Sequence, residues 1–352
     1  MGRNYLVEPF LVTVVAVLAV LADGALAQAP FYQGKTLLVV AGTAPGGAGD
    51  YRTRALVPFL RKYIPGNPSI VIEYKGGGAG RQAANYMYQV AKPDGLTVGS
   101  LGGSIVALNI LGETGVMYDI DRFIYLGASE STSHQIIYTR KELGLVNLEK
   151  LRAASGIRIG AQSVGHPNYI AGRIFAYFLG LTEPKLIVGY TTPDVEVALL
   201  RGELDARANN VEQLLHRNPD WVEKGVMDIH AILEIPKGAK HPRFGHVPEI
   251  ESFAKSEKET KLLSMWRTFR LVGSPYALPP GTPNDKVKIL QDAMRRTLKD
   301  SDFHREYKKL TGDEAEPLMP EELEKAIREM PRDAELIDLL KKISGAGSLP
   351  TR

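Results

Sequence analysis

Cysteine is absent from the 352-residue sequence, which removes thiol nucleophiles, thiolate metal sites and a disulfide framework together. A chain of this length buries enough apolar surface to fold without covalent staples. Charge of one sign is equally scarce: 43 basic and 40 acidic residues give a formal net charge of +3, and the part after residue 27, once one base and two acids are set aside, carries +4. A nucleic-acid binder calls for a dense basic stripe with interleaved aromatics. Here Lys and Arg are scattered among acids along helix-patterned segments, so nucleic acid is not an expected partner. Long apolar runs are missing too. The run Phe10 to Ala22 has thirteen residues, short of the roughly twenty that a membrane-spanning helix needs. There is no internal repeat and no low-complexity tract.

That run has a different use. Arg3 precedes it, and Ala25-Leu26-Ala27 follows with small residues at the two positions a signal peptidase reads. Residues 1–27 are expected to be a signal peptide cleaved after Ala27, which makes the mature protein an exported one.

What the chain has in quantity is glycine at strand ends. Leu37 to Ala41 is a continuous apolar run too short for a helix, the pattern of a strand buried on both faces of a parallel sheet. It empties into Thr-Ala-Pro-Gly-Gly-Ala-Gly-Asp at 43–50, and Ala55, Leu56, Phe59 and Leu60 then recur at helical spacing, with Asp50 as the candidate N-cap. Free backbone N–H groups gather where such a turn meets a helix, a place suited to an anion. The device repeats one βα unit later: the alternating strand Ser69 to Tyr74 empties into Lys75-Gly-Gly-Gly-Ala-Gly80 ahead of the helix Arg81 to Val90. Both loops fall at the carboxyl ends of parallel strands, the edge where open α/β sheets bind ligands. Two anion nests are therefore expected to face each other.

Pro93-Asp94-Gly95 marks a turn before a third strand, Leu96 to Leu101, which ends in Gly102-Gly103-Ser104. Strands at Phe123–Ala128 and His134–Tyr138 flank the polar run 129–133, the expected first crossing between two lobes. A second alternating series follows: helix 148–154, strand 157–161, helix 168–179, strand 186–190, helix 193–200, strand 204–208, helix 211–216 and strand 228–233, predicting another parallel sheet with covered faces. Pro236 to Pro248 reads as surface loop and Phe269 to Gly273 as a strand. Leu278 to Pro283 reads as a rigid turn into the helix Asp285 to Leu298, and the tail as amphipathic helix to Lys342 with a frayed end from Gly345.

Other chemistries find less support. Neither glycine loop ends in Gly-Lys-Ser/Thr, and Gly78-Ala-Gly-Arg-Gln-Ala lacks dinucleotide spacing. Ser163 and His166 lack a strand-to-helix elbow and an orienting acid, so a polar contact to ligand is expected of them, or for His166 a cap on the helix that Pro167 begins. His230, His241 and His246 match no zinc spacing and read as surface-loop histidines. Arg207 either pairs with Asp205 or points into the cleft, and Trp266 and Phe269 read as core.

Seven motifs, Ala-Pro-Gly-Gly-Ala-Gly-Asp at 44–50, Glu-Tyr-Lys-Gly-Gly-Gly-Ala-Gly at 73–80, Pro-Asp-Gly at 93–95, Gly-Tyr-Thr at 189–191, Leu-Arg-Gly-Glu-Leu-Asp at 200–205, Val-Pro-Glu at 247–249 and Pro-Gly-Thr-Pro at 280–283, occur in one order and spacing. In this the mature chain resembles the substrate-binding proteins of tripartite tricarboxylate transporters, also called Bug receptors. The resemblance implies an α/β, two-lobed periplasmic binding protein of type II, with two parallel or mixed sheets flanked by helices and a hinged cleft between them. Residues 28–130 with 251–352 would form lobe I, and residues 131–250 lobe II. It implies a periplasmic, monomeric receptor, not an enzyme, without cofactor or metal, which delivers a small organic carboxylate to membrane permease subunits. Carried over by position, Ala44, Pro45, Gly46 and Gly47 face Gly77, Gly78, Ala79 and Gly80 across one carboxylate. Ser163, Val164, Gly165, His166, Tyr190, Thr191, Thr192 and Asn209 read the rest of the ligand. The chain departs from the family where Thr43-Ala44-Pro45 replaces an aromatic-Pro-Pro turn, Thr191 a lysine and Asn209 an acid. The alternatives are an exported hydrolase for an acidic substrate, using Ser163 and His166, and a receptor that signals to a membrane sensor.

Overall fold

The computed structural model describes residues 29–352 apart from Thr132, so the expected signal peptide lies outside the described residues. Among those, no helix is long and apolar enough to cross a membrane. β1 (Thr36–Ala41), α1 (Ala48–Tyr63), β2 (Ser69–Tyr74), α2 (Arg81–Gln89), β3 (Thr97–Ser100) and α3 (Ser104–Ile110) alternate as the sequence predicts. β4 (Ile124–Ala128) leads to β5 (Gln135–Arg140), α4 (Leu148–Ala153), β6 (Arg158–Gly160), α5 (Pro167–Leu179), β7 (Lys185–Ile187), α6 (Thr192–Leu200), β8 (Ala206–Asn210), α7 (Val211–Arg217), α8 (Pro219–Glu223) and β9 (Met227–Leu233). α9 (Glu257–Leu271), β10 (Pro275–Leu278), α10 (Asn284–Leu298), α11 (Ser301–Thr311), α12 (Pro320–Arg328) and α13 (Ala334–Ser344) complete the chain.

Two five-stranded sheets result, ordered β2-β1-β3-β10-β4 and β7-β6-β8-β5-β9. β1 is parallel to β2 and β3, so their three glycine-rich βα loops emerge at one edge. Both sheets are mixed. β10 runs antiparallel to β3 and β4, and β5 antiparallel to β8 and β9. The wholly parallel second sheet predicted from strand–helix alternation is thereby corrected. β5 lies between β8 and β9, neither of them its neighbour in sequence, and its direction is set by pairing opposite to both.

Helices cover both faces of each sheet, as buried strands require. One face of the first sheet packs Leu37, Val39 and Leu278 on Leu56, Leu60, Met294 and Phe303. Its other face joins a core that continues into the second sheet through Val40, Met87, Ile105, Ile137, Ile159 and Phe175. The outer face of the second sheet packs Ile136, Tyr138 and Ile232 on Val195, Leu199 and Trp221.

Two predicted elements differ. Phe269 belongs to helix α9, capped by Ser256 Oγ accepting from Glu259 N–H at 3.2 Å, and the strand is Pro275–Leu278. Leu262, Trp266 and Phe269 recur at helical spacing and are buried together, a period that a window of five residues cannot show. The segment Gly345–Arg352 is tied down where fraying was expected. The Arg352 guanidinium bonds Glu259 at 2.8 and 2.9 Å and reaches the carbonyls of Phe178 and Phe253, while Arg173 holds the Gly347 carbonyl at 2.7 Å. α13 itself packs on α5 and α9.

The outward link 129–134 and the return link Val272-Gly273-Ser274 meet backbone to backbone. Gly273 has φ +58°, and a Cβ there would lie 1.6 Å from the Glu130 carbonyl oxygen. Charges crowd the same place: Arg52 pairs with Glu130 at 2.7 Å, and Ser131 Oγ donates to the Glu316 carbonyl at 2.6 Å. Burial, reinforced by Glu316 and Asp313, pushes the nearby Glu212 carboxyl up to about 7, against hydrogen bonds from its own backbone and from Ser133.

Gly273→Ala is expected to lower stability by more than about 3 kcal/mol, through the clash and the left-handed backbone; a denaturation midpoint equal to that of the parent would contradict the crossing geometry. Glu212 has a folded pKa raised above its unfolded value. Its favourable contribution is full below the unfolded value and is lost as pH rises toward 7 and beyond. Glu212→Gln should match the parent near pH 4.5 and gain on the order of 2 kcal/mol over it by pH 8, measured as the pH dependence of urea unfolding. A constant difference across that range would refute the burial argument.

Candidate functional site

The first glycine loop is organised by a carboxylate. Gly47 caps α1, and Asp50 stands three residues inside the helix, correcting its assignment as N-cap. Asp50 instead reaches back: Oδ2 accepts from Gly46 N–H at 2.7 Å, and Oδ1 accepts from the Tyr74 hydroxyl at 2.6 Å and Arg54 Nε at 2.9 Å. Burial opposes the charge, but these bonds hold the Asp50 carboxyl below its usual range. Two N–H groups of the loop are thereby used within the protein, since Gly47 donates to the Ala44 carbonyl at 3.3 Å. Gly46, with φ +75°, serves the turn. Thr43, Ala44, Pro45 and Gly49 of this loop line the cleft.

The second loop keeps its donors free. Gly77, Gly78, Ala79 and Gly80 all have positive φ, Ala79 at +55° being a strained choice for a side-chain-bearing residue. The N–H groups of Gly77, Gly78 and Ala79 find no acceptor among the described residues, while Gly80 N–H closes the turn on the Gly77 carbonyl at 3.1 Å. Ser104 Oγ, from the third loop, donates to the Ala79 carbonyl at 2.7 Å. The first two loops touch where a Cβ on Gly76 would sit 3.2 Å from the Thr43 carbonyl oxygen. Gly77, Ala79 and Gly80 line the cleft.

This cleft has a volume of about 1660 Å³ and is walled on its other side by Ser163, Val164, Gly165 and His166. The loop leads into α5, where His166 Nδ1 accepts from Asn168 N–H at 3.1 Å as the N-cap and Pro167 occupies the first helical position. Burial, together with the cations Arg207 and Arg270, lowers the His166 pKa to about 4. The ring is therefore neutral at pH 7 with its proton on Nε2. Among the described residues no hydrogen bond joins the Ser163 hydroxyl to this imidazole.

Of the residues carried over by resemblance, Gly46, Gly47, Gly78, Tyr190, Thr191 and Asn209 are not among those lining the cleft. Tyr190 and Thr191 sit off its wall, with the Thr191 hydroxyl bonded to Asp194 Oδ2 at 2.5 Å in a capping box at the start of α6, and Thr192 is the first residue of that helix. Asn209 is buried and braces the site from behind, its Oδ1 accepting from Asn168 Nδ2 at 3.1 Å. Its neighbour Asn210 is the strand-end residue that reaches the cleft. Neither reading of Arg207 holds: it is fully buried against Glu196 at 3.4 Å, while Asp205 is taken by Arg158 at 2.6 Å and Arg140 at 3.3 Å. His230, read as a surface histidine, is buried on β9 and 2.7 Å from Thr139 Oγ1.

The floor holds residues that sequence patterns do not single out. Arg52, Glu130, Arg270 and Ser274 line it, and Trp266 and Phe269 are both core, as expected, and cleft wall. Trp266 Nε1 donates to Gln135 Oε1 at 2.9 Å, fixing the indole. Arg52 is doubly held, by Glu130 at 2.7 Å and Ser274 Oγ at 3.2 Å. Arg52 is legible as a cation one turn into the helix behind the first glycine loop; Arg270 is hidden once its segment is taken for a strand.

No protein-family model matches the chain, and no curated protein matches it in sequence. Solved structures do. A TctC solute-binding protein from Polaromonas superposes with a TM-score of 0.65 at 16% identity, covering 89% of this chain and 98% of that one. The periplasmic binding protein BugD gives 0.58 at 20% identity, covering 89% and 99%. MatC from Rhodopseudomonas palustris, solved with bound malate, gives 0.56 at 19% identity, covering 88% and 99%. Nearly the whole described chain thus has the two-lobed fold of these solute-binding proteins, the architecture that its glycine-loop motifs implied.

Proposed function

We propose that this protein is a periplasmic receptor of the tripartite tricarboxylate transporter type, which captures a small organic carboxylate in the cleft and passes it to membrane permease subunits. The observation that carries the reading is the second glycine loop: the N–H groups of Gly77, Gly78 and Ala79 have no acceptor among the described residues, and Gly77 and Ala79 line the cleft at the start of α2. Donors held in that way stabilise a carboxylate without the reorganisation that water requires. The malate bound to MatC, a protein of the same fold, is a ligand of the same chemistry.

Ala44, Pro45, Gly77, Ala79 and Gly80 are assigned to one carboxylate, with Gly46, Gly47 and Gly78 shaping the turns. Ser163 to His166 contact the ligand from the opposite wall, the His166 Nε2 proton serving as a neutral donor. Asn209 braces that wall from behind through Asn168. No bond is made or broken. A ligand that touches both walls favours closure, and only to the extent that it binds the closed state more tightly than the open one.

Trp266, one of two tryptophans in the chain, lines the cleft and reports on its occupancy. Gly77 has φ +129°, and a Cβ there would meet the Gln82 side chain at 2.8 Å, so Gly77→Ala displaces the donors. Fluorescence titration with succinate, malate and glutarate should show at least a roughly tenfold weaker affinity in Gly77→Ala, with an unchanged far-UV circular dichroism spectrum. Equal affinity in the two proteins would remove the second loop from the site.

A further inference from the structure

Arg270 is a partly buried cation without a counter-ion among the described residues. It projects from the last turn of α9 into the cleft floor, yet among the described residues it forms no ion pair. Its hydrogen bond runs from Nη2 to Asn210 Oδ1 at a long 3.4 Å, and its Nε is shielded from solvent with no acceptor at all. A guanidinium has five N–H donors and cannot shed its charge. Leaving it desolvated and unmatched is unfavourable by itself.

The neighbouring charges do not resolve this. Arg52, the other arginine of the floor, is neutralised by Glu130 at 2.7 Å and anchored on Ser274. Burial lowers the Arg270 pKa; Glu130 and Glu212 act on it only at a distance, and Arg52 repels it. Glu212 is itself pushed up to about 7, which weakens its hold as a compensating charge near neutral pH. Other largely buried arginines around the second sheet have a carboxylate or carbonyl in contact: Arg207 has Glu196, Arg267 has Glu249 and Glu251, and Arg173 has the Gly347 carbonyl. Arg270 has neither a carboxylate nor a backbone carbonyl in contact among the described residues, and it lines the cleft that the glycine loops also line.

We infer that Arg270 is the receptor for a second anionic group of the ligand, so that the protein selects a compact dicarboxylate, one carboxylate on the glycine loops and the other on the Arg270 guanidinium beside Asn210. This rests on the carboxylate-receptor reading given above and narrows its ligand class. The Arg270 Nε is already shielded from water before the ligand arrives, so an arriving anion gains a charge-assisted, bidentate contact at a reduced desolvation cost. A monocarboxylate leaves the cation unmatched.

The test is isothermal titration calorimetry of the protein and of Arg270→Gln and Arg270→Lys with succinate, malate, glutarate and adipate, each set against the matched monocarboxylate or monoamide. The parent should prefer the best dicarboxylate over its monocarboxylate partner by roughly tenfold to hundredfold. Arg270→Gln should abolish that preference while changing monocarboxylate affinity less than about threefold, and Arg270→Lys should keep part of it. Without ligand, Arg270→Gln should melt at or above the parent's temperature, because a residue kept for binding and not for the fold is released from an unsatisfied charge. A parent that binds mono- and dicarboxylates equally, or an Arg270→Gln variant that loses both alike, overturns the second-anion assignment and leaves the receptor reading standing. So does an Arg270→Gln variant that fails to fold or melts well below the parent, which makes Arg270 structural. If none of these acids binds the parent, both readings fall.

Discussion

The carboxylate of Asp50 is the constraint on which the binding edge depends. It sits inside the first turn of α1 and ties together three groups: the Gly46 N–H of the first glycine loop, the Tyr74 hydroxyl at the end of β2, and Arg54. Tyr74 immediately precedes the second glycine loop, so one buried ion fixes the spacing of both. Parallel pairing of β1 with β2 and β3 brings their loops to one edge, and the Asp50 bonds convert that proximity into a defined geometry. The first loop uses its donors for this task. The second, held from the side by Ser104, leaves three of them without an acceptor among the described residues.

The cleft floor is arranged the opposite way. Where the links between the sheets cross, Gly273 allows two backbones to touch, and four partly buried ionisable side chains, Arg52, Glu130, Glu212 and Arg270, lie close together. One pair is satisfied by direct contact. The remaining acid is shifted toward its neutral form, and the remaining base cannot follow it. Such an imbalance destabilises the empty protein and is tolerated at sites where a ligand restores it. The floor is built from both links, with Glu130 on the outward one and Ser274 on the return one.

Much of this is legible in the sequence. The apolar run of β1, the glycine turns and the helical period behind them are local signals, and local signals suffice for the first three βα units and most of the second series. The seven motifs carry the two-lobed architecture. The failures have a common cause. Alternation of strands and helices predicts a parallel β5 wrongly, because strand direction is decided by partners and not by the strand's own residues. The strand predicted around Phe269 comes from a window too short to reveal the period that Phe269 shares with Leu262 and Trp266. Arg207, Asp50 and the Gly345–Arg352 segment invite local roles, whereas their partners, Glu196, Tyr74 and Glu259, are set by tertiary packing. Arg270 is invisible for the same reason: an arginine without an ion partner is notable only once the positions of the carboxylates around it are known.

The most direct test of a carboxylate-binding cleft is thermal unfolding of the protein against a panel of small carboxylates and their neutral amides. A ligand bound only by the folded state at a hundred times its dissociation constant adds about 2.7 kcal/mol of stability, a shift of several degrees. A rise in melting temperature with particular acids and none with their amides is the predicted result. Equal shifts with acid and amide, or a shift only with neutral or cationic solutes, would show that the glycine loops are turns and not an anion site.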